Sequence, residues 1–145
     1  MILLDASALL ALLWGEPGES EVAALLRSND CATAAPCLSE VVDKLIRRND
    51  VLPEQVLDYL DPLIDASLGI VPVENRIAWQ AGEFRAAYYS RGHSDLSLAD
   101  CLLLAAAGSN DKLATADGAL AGVASTLEIS VIPLPDSKGN RPEVD

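Results

Sequence analysis

Histidine and methionine each occur once in this 145-residue chain, cysteine three times, and aromatic residues make up only 4%. The odd cysteine count, with no C-x-x-C pair among Cys31, Cys37 and Cys101, argues against a disulfide framework or a cysteine zinc site and points to a reducing compartment. Cys101 beside Asp100 would need His93 as its base. His93 falls in a loop-like setting and reads as a solvated residue, so a thiol hydrolase is disfavoured. Positive charge is also scarce: 10 Lys and Arg stand against 22 Asp and Glu, a net charge of −12. A protein that grips nucleic acid by coating phosphates needs a broad basic surface, and this composition excludes one. A short segment held through a metal ion, or a basic partner, remains compatible. No apolar run reaches the roughly 18 residues needed to span a bilayer. The opening "MILLDASALLALLWGE" is hydrophobic enough for a signal-peptide core, but it lacks a basic start and a small-x-small cleavage site and carries Asp5. It reads as a strand followed by a helix.

Half of the residues are apolar, 50% of the chain, so the core is expected from Leu, Ala, Val and Ile. Strands are expected at "ILL" (2–4), "CATAA" (31–35), "GIVPV" (69–73), "KLATA" (112–116) and "ISVIPL" (129–134). Helices fall between them. One is capped by Ser7 and stopped near Gly15, and another spans 19–28. Pro36 at a first helical position opens one to about Arg48, and Pro53 opens one to about Ser67. Others run from Glu74 to about Ser90, over 96–108, and from Gly118. Short apolar strands alternating with helices predict a three-layer α/β/α fold on a mostly parallel sheet. One domain over 1–134 is expected, with a polar, flexible tail over 135–145.

In "LSLADCLLLAAAG" the only charge is Asp100, in a helix apolar on every side and therefore buried. Ser97 and Asp100 form the acidic variant of a capping box, so capping alone explains the residue as well as a functional role does. In parallel sheets ligands bind outside the carboxyl ends of the strands, at a reversal of strand order. Asp5 follows the first strand, Asp117 follows "KLATA", Asp100 lies in a first helical turn and Glu40 in a second turn. All four therefore fall at one edge of the sheet. Each has a structural reading of its own: a solvated strand end for Asp5, an N-cap for Asp117. For Glu40, opposite the stripe of Val41, Val42 and Leu45, it is a surface ion pair with Lys44. Taken together, clustered carboxylates repel unless a cation intervenes, and oxygen-only ligands select a hard ion, Mg²⁺ or Mn²⁺. The chemistry implied is hydrolysis or transfer at phosphorus.

"MILLDASALLALLWGEPG", "LSEVVDKL", "LSLADCLLLAAA" and "LATADGAL" occur in the order and spacing of PIN-domain ribonucleases, and the chain most resembles VapC-type toxins of toxin–antitoxin pairs. The resemblance runs to about Pro133, and "LSEVVDKL" is its least specific part. It implies that Asp5, Glu40, Asp100 and Asp117 form the family's acidic quartet, with Ser7 as the small hydroxyl residue near the metal. It also implies a Mg²⁺-dependent (or Mn²⁺-dependent) cytoplasmic endoribonuclease that dimerises and is silenced by a cognate antitoxin. On that reading Asp5, Asp100 and Asp117 hold metal and Glu40 orients or deprotonates the attacking water. Single-stranded or looped RNA suits a recessed site, with Lys44, Arg47, Arg48, Arg85 and Arg91 as candidate grips. The apolar surface of 8–14 and 19–26 is a candidate seat for an antitoxin helix, and the acidic pocket attracts a basic segment. A catalytically silent module that only binds a partner is the alternative. Other metal-loop folds fit less well. An adhesion-type D-x-S-x-S loop would need Ser where Leu9 stands, a haloacid-dehalogenase motif needs D-x-D, and a receiver domain needs paired acids after its first strand.

Overall fold

The computed structural model describes residues 1–65, 68–92 and 94–144. The expected strands are present as β1 (Ile2–Leu4), β2 (Cys31–Ala34), β3 (Gly69–Val71), β4 (Lys112–Thr115) and β5 (Ser130–Pro133). They form one sheet in the order β3-β2-β1-β4-β5, with every pairing parallel. The central β1 and β2 are buried along their whole length, which is why their sequences run apolar without alternation. β3 and β5 form the edges and are more open. Pro133, which cannot donate a ladder bond, sits in the edge strand β5.

Seven helices lie among the described residues: α1 (Ala6–Trp14), α2 (Glu19–Ser28), α3 (Ala35–Asn49), α4 (Val56–Asp65), α5 (Asn75–Tyr88), α6 (Leu98–Ala106) and α7 (Gly118–Thr126). With the sheet they make the three-layer α/β/α arrangement. α1 packs along α2, α5 along α6, and α7 against β4 and β5. Leucine dominates the fully buried positions, among them Leu3, Leu4, Leu9, Leu103 and Leu113. Gly15 ends α1 in the left-handed conformation at φ 66°, its amide bonding the Ala11 carbonyl, as a glycine C-cap does.

Several local expectations differ from the structure. The cap of α1 is Asp5, whose carboxylate accepts from the Ala8 amide at 2.8 Å; Ser7 lies inside the helix and turns its hydroxyl back onto Asp5. Pro36 is the second residue of α3, behind Ala35. Pro53 opens only a 3₁₀ turn, Pro53–Gln55, before α4, which itself carries Pro62. α6 is not buried on every side, because Leu98 in its first turn is 57% exposed. Ser67 and His93 lie outside the described residues. Beyond β5, Asp136 accepts from the amides of Lys138 and Asn140, and Arg141 bonds Glu21 of α2 and the Pro133 carbonyl.

Candidate active site

β1 and β2 run to one side of the sheet and β4 and β5 to the other, so strand order reverses between β1 and β4. The register pairs Leu4 with Ala114, which sets the following residues, Asp5 and Thr115, side by side at the carboxyl end of that crevice. Asp5 is only 3% exposed, a burial that would be costly for an unpartnered carboxylate. Its oxygens accept from Ala8 N, from Ser7 Oγ at 2.8 Å and from Thr115 Oγ1 at 2.6 Å. Burial nevertheless wins over these bonds and pushes the Asp5 carboxyl up to about 6, with the charge of Asp100 adding to the rise.

Asp117 is the N-cap of α7, two residues past the end of β4. One of its oxygens, Oδ1, caps the helix by accepting from Ala119 N at 2.7 Å and Leu120 N at 3.0 Å. Thr115 Oγ1 accepts from the Asp117 amide at 2.9 Å, so one hydroxyl positions both acids. The capping box is present at α6: Ser97 N donates to Asp100 Oδ2 at 2.7 Å and Asp100 N to Ser97 Oγ at 3.0 Å. Capping occupies a single Asp100 oxygen and is compatible with a second role for the other. Burial raises the Asp100 pKa above the ordinary range, and the charges of Asp117 and Glu40 raise it further.

Glu40 makes the surface-type ion pair its spacing predicts, 2.6 Å from Lys44 Nζ. Its field still reaches the site, since Asp5, Asp100 and Glu40 all raise the pKa of the buried Cys37 thiol, after burial itself. The sheet edge thus gathers the fields of all four acids. Among the described residues, no three acidic, histidine or cysteine side chains stand at ligating distance from one another.

By chemical type, though not by present spacing, the donors suit a hard divalent cation. Asp5, Asp100 and Asp117 offer oxygen only, and burial keeps the neighbouring thiols of Cys37 and Cys101 protonated and unsuited to ligation. Thr115 is a contributor that motif reading did not single out; its signal is a threonine two positions before an acid at a strand end. Two candidate RNA grips are engaged elsewhere. Arg47 is paired with Asp43, and Arg85 donates to the Leu96 carbonyl and stacks 3.9 Å over Tyr89.

The family profile of the PIN domain matches residues 2–125. Among solved structures, the chain is similar to VapBC2 from Rickettsia felis bound to a promoter DNA fragment: 18% identity, TM-score 0.62, covering 91% of this chain and 98% of that one. It is also similar to FitAcB from Neisseria gonorrhoeae, at 25% identity and TM-score 0.61, over 91% of this chain and 96% of that one. A third is VapC20 from Mycobacterium tuberculosis, described as a sarcin–ricin loop cleaving toxin, at 19% identity, TM-score 0.57 and coverage of 72% and 79%. No curated protein sequence matches the chain. The profile match covers most of the sequence, and the chain belongs to the PIN domain family.

Proposed function

We propose that the chain is a Mg²⁺-dependent endoribonuclease, with Mn²⁺ able to substitute, acting as the toxin of a type II toxin–antitoxin pair. The observation that supports this most is Asp5: a carboxylate buried at the strand-order reversal, fixed by three donors and set in the field of Asp100. Asp5, Asp100 and Asp117 would hold the ion, which supplies a lowered water pKa and a clamp on a non-bridging phosphate oxygen. Ser7 and Thr115 fix the direction of the Asp5 oxygens. Glu40 orients the attacking water or takes its proton, and Lys44 limits where the Glu40 carboxylate can swing. The likeness to VapC20, described as cleaving the sarcin–ricin loop, supports RNA as the substrate class.

A groove of about 820 Å³ lies between α1, α2 and α4, lined by Leu12, Leu13, Leu26, Tyr59 and Leu63. Its shape and apolar walls suit the amphipathic helix of an antitoxin, and a toxin–antitoxin complex from Klebsiella pneumoniae is also similar to this chain, at 20% identity and TM-score 0.58 over 81% of it and 87% of that chain. A homodimer is part of the same proposal. Exposed Trp79 on α5 and Leu98 on the adjoining α6 are its candidate contacts. Three buried free thiols suit the reducing cytoplasm.

The Glu40–Lys44 pair and the caps made by Asp100 and Asp117 equally favour a silent module that only binds a partner. Incubating chelator-treated protein with RNA, then restoring Mg²⁺, separates the two readings. Cleavage that appears with Mg²⁺ and is lost in Asp100→Asn supports the nuclease; an intact RNA under both conditions supports the silent module.

A further inference from the structure

We propose that a cavity of about 250 Å³ beside the acidic site is the subsite for the nucleotide flanking the scissile phosphate, with Arg48 and Trp14 as its principal contacts. This rests on the endoribonuclease reading and names a substrate-binding element of the same site. The cavity is continuous with the acids, because Ser7 and Asp117 form its inner wall and Ser7 Oγ bonds both oxygens of Asp5. α3 contributes Lys44 and Arg48, one helical turn apart on one face. Lys44 is paired with Glu40, whereas no ion pair engages Arg48 among the described residues. In a chain of net charge −12, an unpaired guanidinium at the mouth of an acidic site is a specific feature.

Trp14, the last residue of α1, lines the same cavity, and its Nε1 is buried with no hydrogen-bond partner among the described residues. Buried donors are almost always satisfied, so this one is a donor in want of an acceptor. The rest of the Trp14 ring lines the cavity and offers a base an aromatic contact. Glu16 also lines the cavity, and its carboxylate suits the N–H groups of a base. Lys44 and Arg48 with the carboxylates of Glu16, Asp117 and Asp136 match a nucleotide, which carries both acceptors and donors, better than a bare anion.

Part of the wall lies beyond the residues matched to the family. Asp136 and Ser137 close the cavity from the segment after β5, which Arg141 ties to Glu21 of α2, and the family match ends at residue 125. The subsite is therefore built partly by residues beyond the matched segment.

The test uses the full-length protein and a fluorescein-labelled single-stranded RNA, with binding measured by anisotropy in chelator and cleavage measured separately in Mg²⁺. Arg48→Ala is expected to weaken binding several-fold and to lower the slope of log affinity against log salt by about 0.7. Trp14→Phe, which replaces the indole with a smaller aromatic ring that has no N–H, is expected to raise KM with kcat unchanged. If Trp14→Phe fails to fold, Arg48→Ala and Arg48→Glu decide the matter, since Arg48 is exposed. Wild-type affinity and salt slope in the Arg48 variants would overturn the subsite, as would a wild-type protein that binds no RNA. Wild-type binding that Arg48→Ala weakens, with no cleavage in Mg²⁺, would leave the subsite standing and remove the nuclease reading instead.

Discussion

Thr115 donates its hydroxyl to Asp5 Oδ2 at 2.6 Å, joining residues 110 positions apart in the chain. Thr115 Oγ1 itself accepts from the Asp117 amide at 2.9 Å, so one side chain holds two of the proposed metal ligands in register across β1 and β4. Thr115→Val keeps the shape and removes both bonds. It is expected to destabilise the fold by about 1–3 kcal/mol, because a buried carboxylate and an amide lose partners, and to reduce RNA cleavage. Urea denaturation and a cleavage assay check this, and wild-type values in both would show that Thr115 does not organise the site.

Asp5 should make the metal-free protein sensitive to pH. Its folded-state pKa, near 6, lies above the ordinary carboxylate value, so the fold favours the protonated form. The contribution of this group to stability is therefore fully present below the unfolded value, near 4, and is lost as pH rises through about 6. Two units amount to roughly 3 kcal/mol. Asp43, Asp111 and Asp136, whose pKa values are lowered by their partners, act in the opposite direction, so the comparison must be with Asp5→Asn. In chelator the variant should gain stability over wild type between pH 4 and pH 7. A pH-independent difference would mean that burial of Asp5 carries no such cost.

Glu40 separates structure from chemistry. Its pair with Lys44 is partly exposed and worth at most about 1 kcal/mol. Glu40→Gln should melt close to wild type, while kcat falls by roughly 10²–10⁴ if the carboxylate handles the proton of the attacking water. A small change in both stability and kcat would return Glu40 to the role of a surface ion pair.

The strands, the parallel sheet and the edge shared by the acids were legible because buried parallel strands read as short apolar runs, and helices begin near their carboxyl ends. The cap of α1 was not. Asp5 and Ser7 are both good capping residues, and only the three-dimensional path shows Asp5 receiving the Ala8 amide while Ser7 folds back. Periodicity reads Glu40 as the partner of Lys44, and that pair exists. Its assignment to the acidic site came from resemblance, and its field at Cys37 is visible only in the fold. Asp100 illustrates why a capping motif does not argue against function, because the cap uses one carboxylate oxygen. Thr115 escaped notice because a threonine in a buried strand is common, and its role depends on which strand lies beside β4.

The groove between α1, α2 and α4 gives an independent test of the partner. Tyr59 lines it and is 45% exposed, so Tyr59→Asp places a charge there without opening the core. Co-expression with the protein encoded beside it should yield a complex with wild type and much less with Tyr59→Asp, while RNA cleavage by the isolated variant persists. Equal capture would place the partner elsewhere.

Binding of Mn²⁺ by calorimetry at pH 7.5 addresses the acidic cluster most directly. Wild-type protein is predicted to give saturable binding that Asp5→Asn and Asp100→Asn each abolish, with circular dichroism unchanged. Heats indistinguishable from dilution in wild type, or equal binding in both variants, would contradict a shared divalent-ion site at this edge of the sheet.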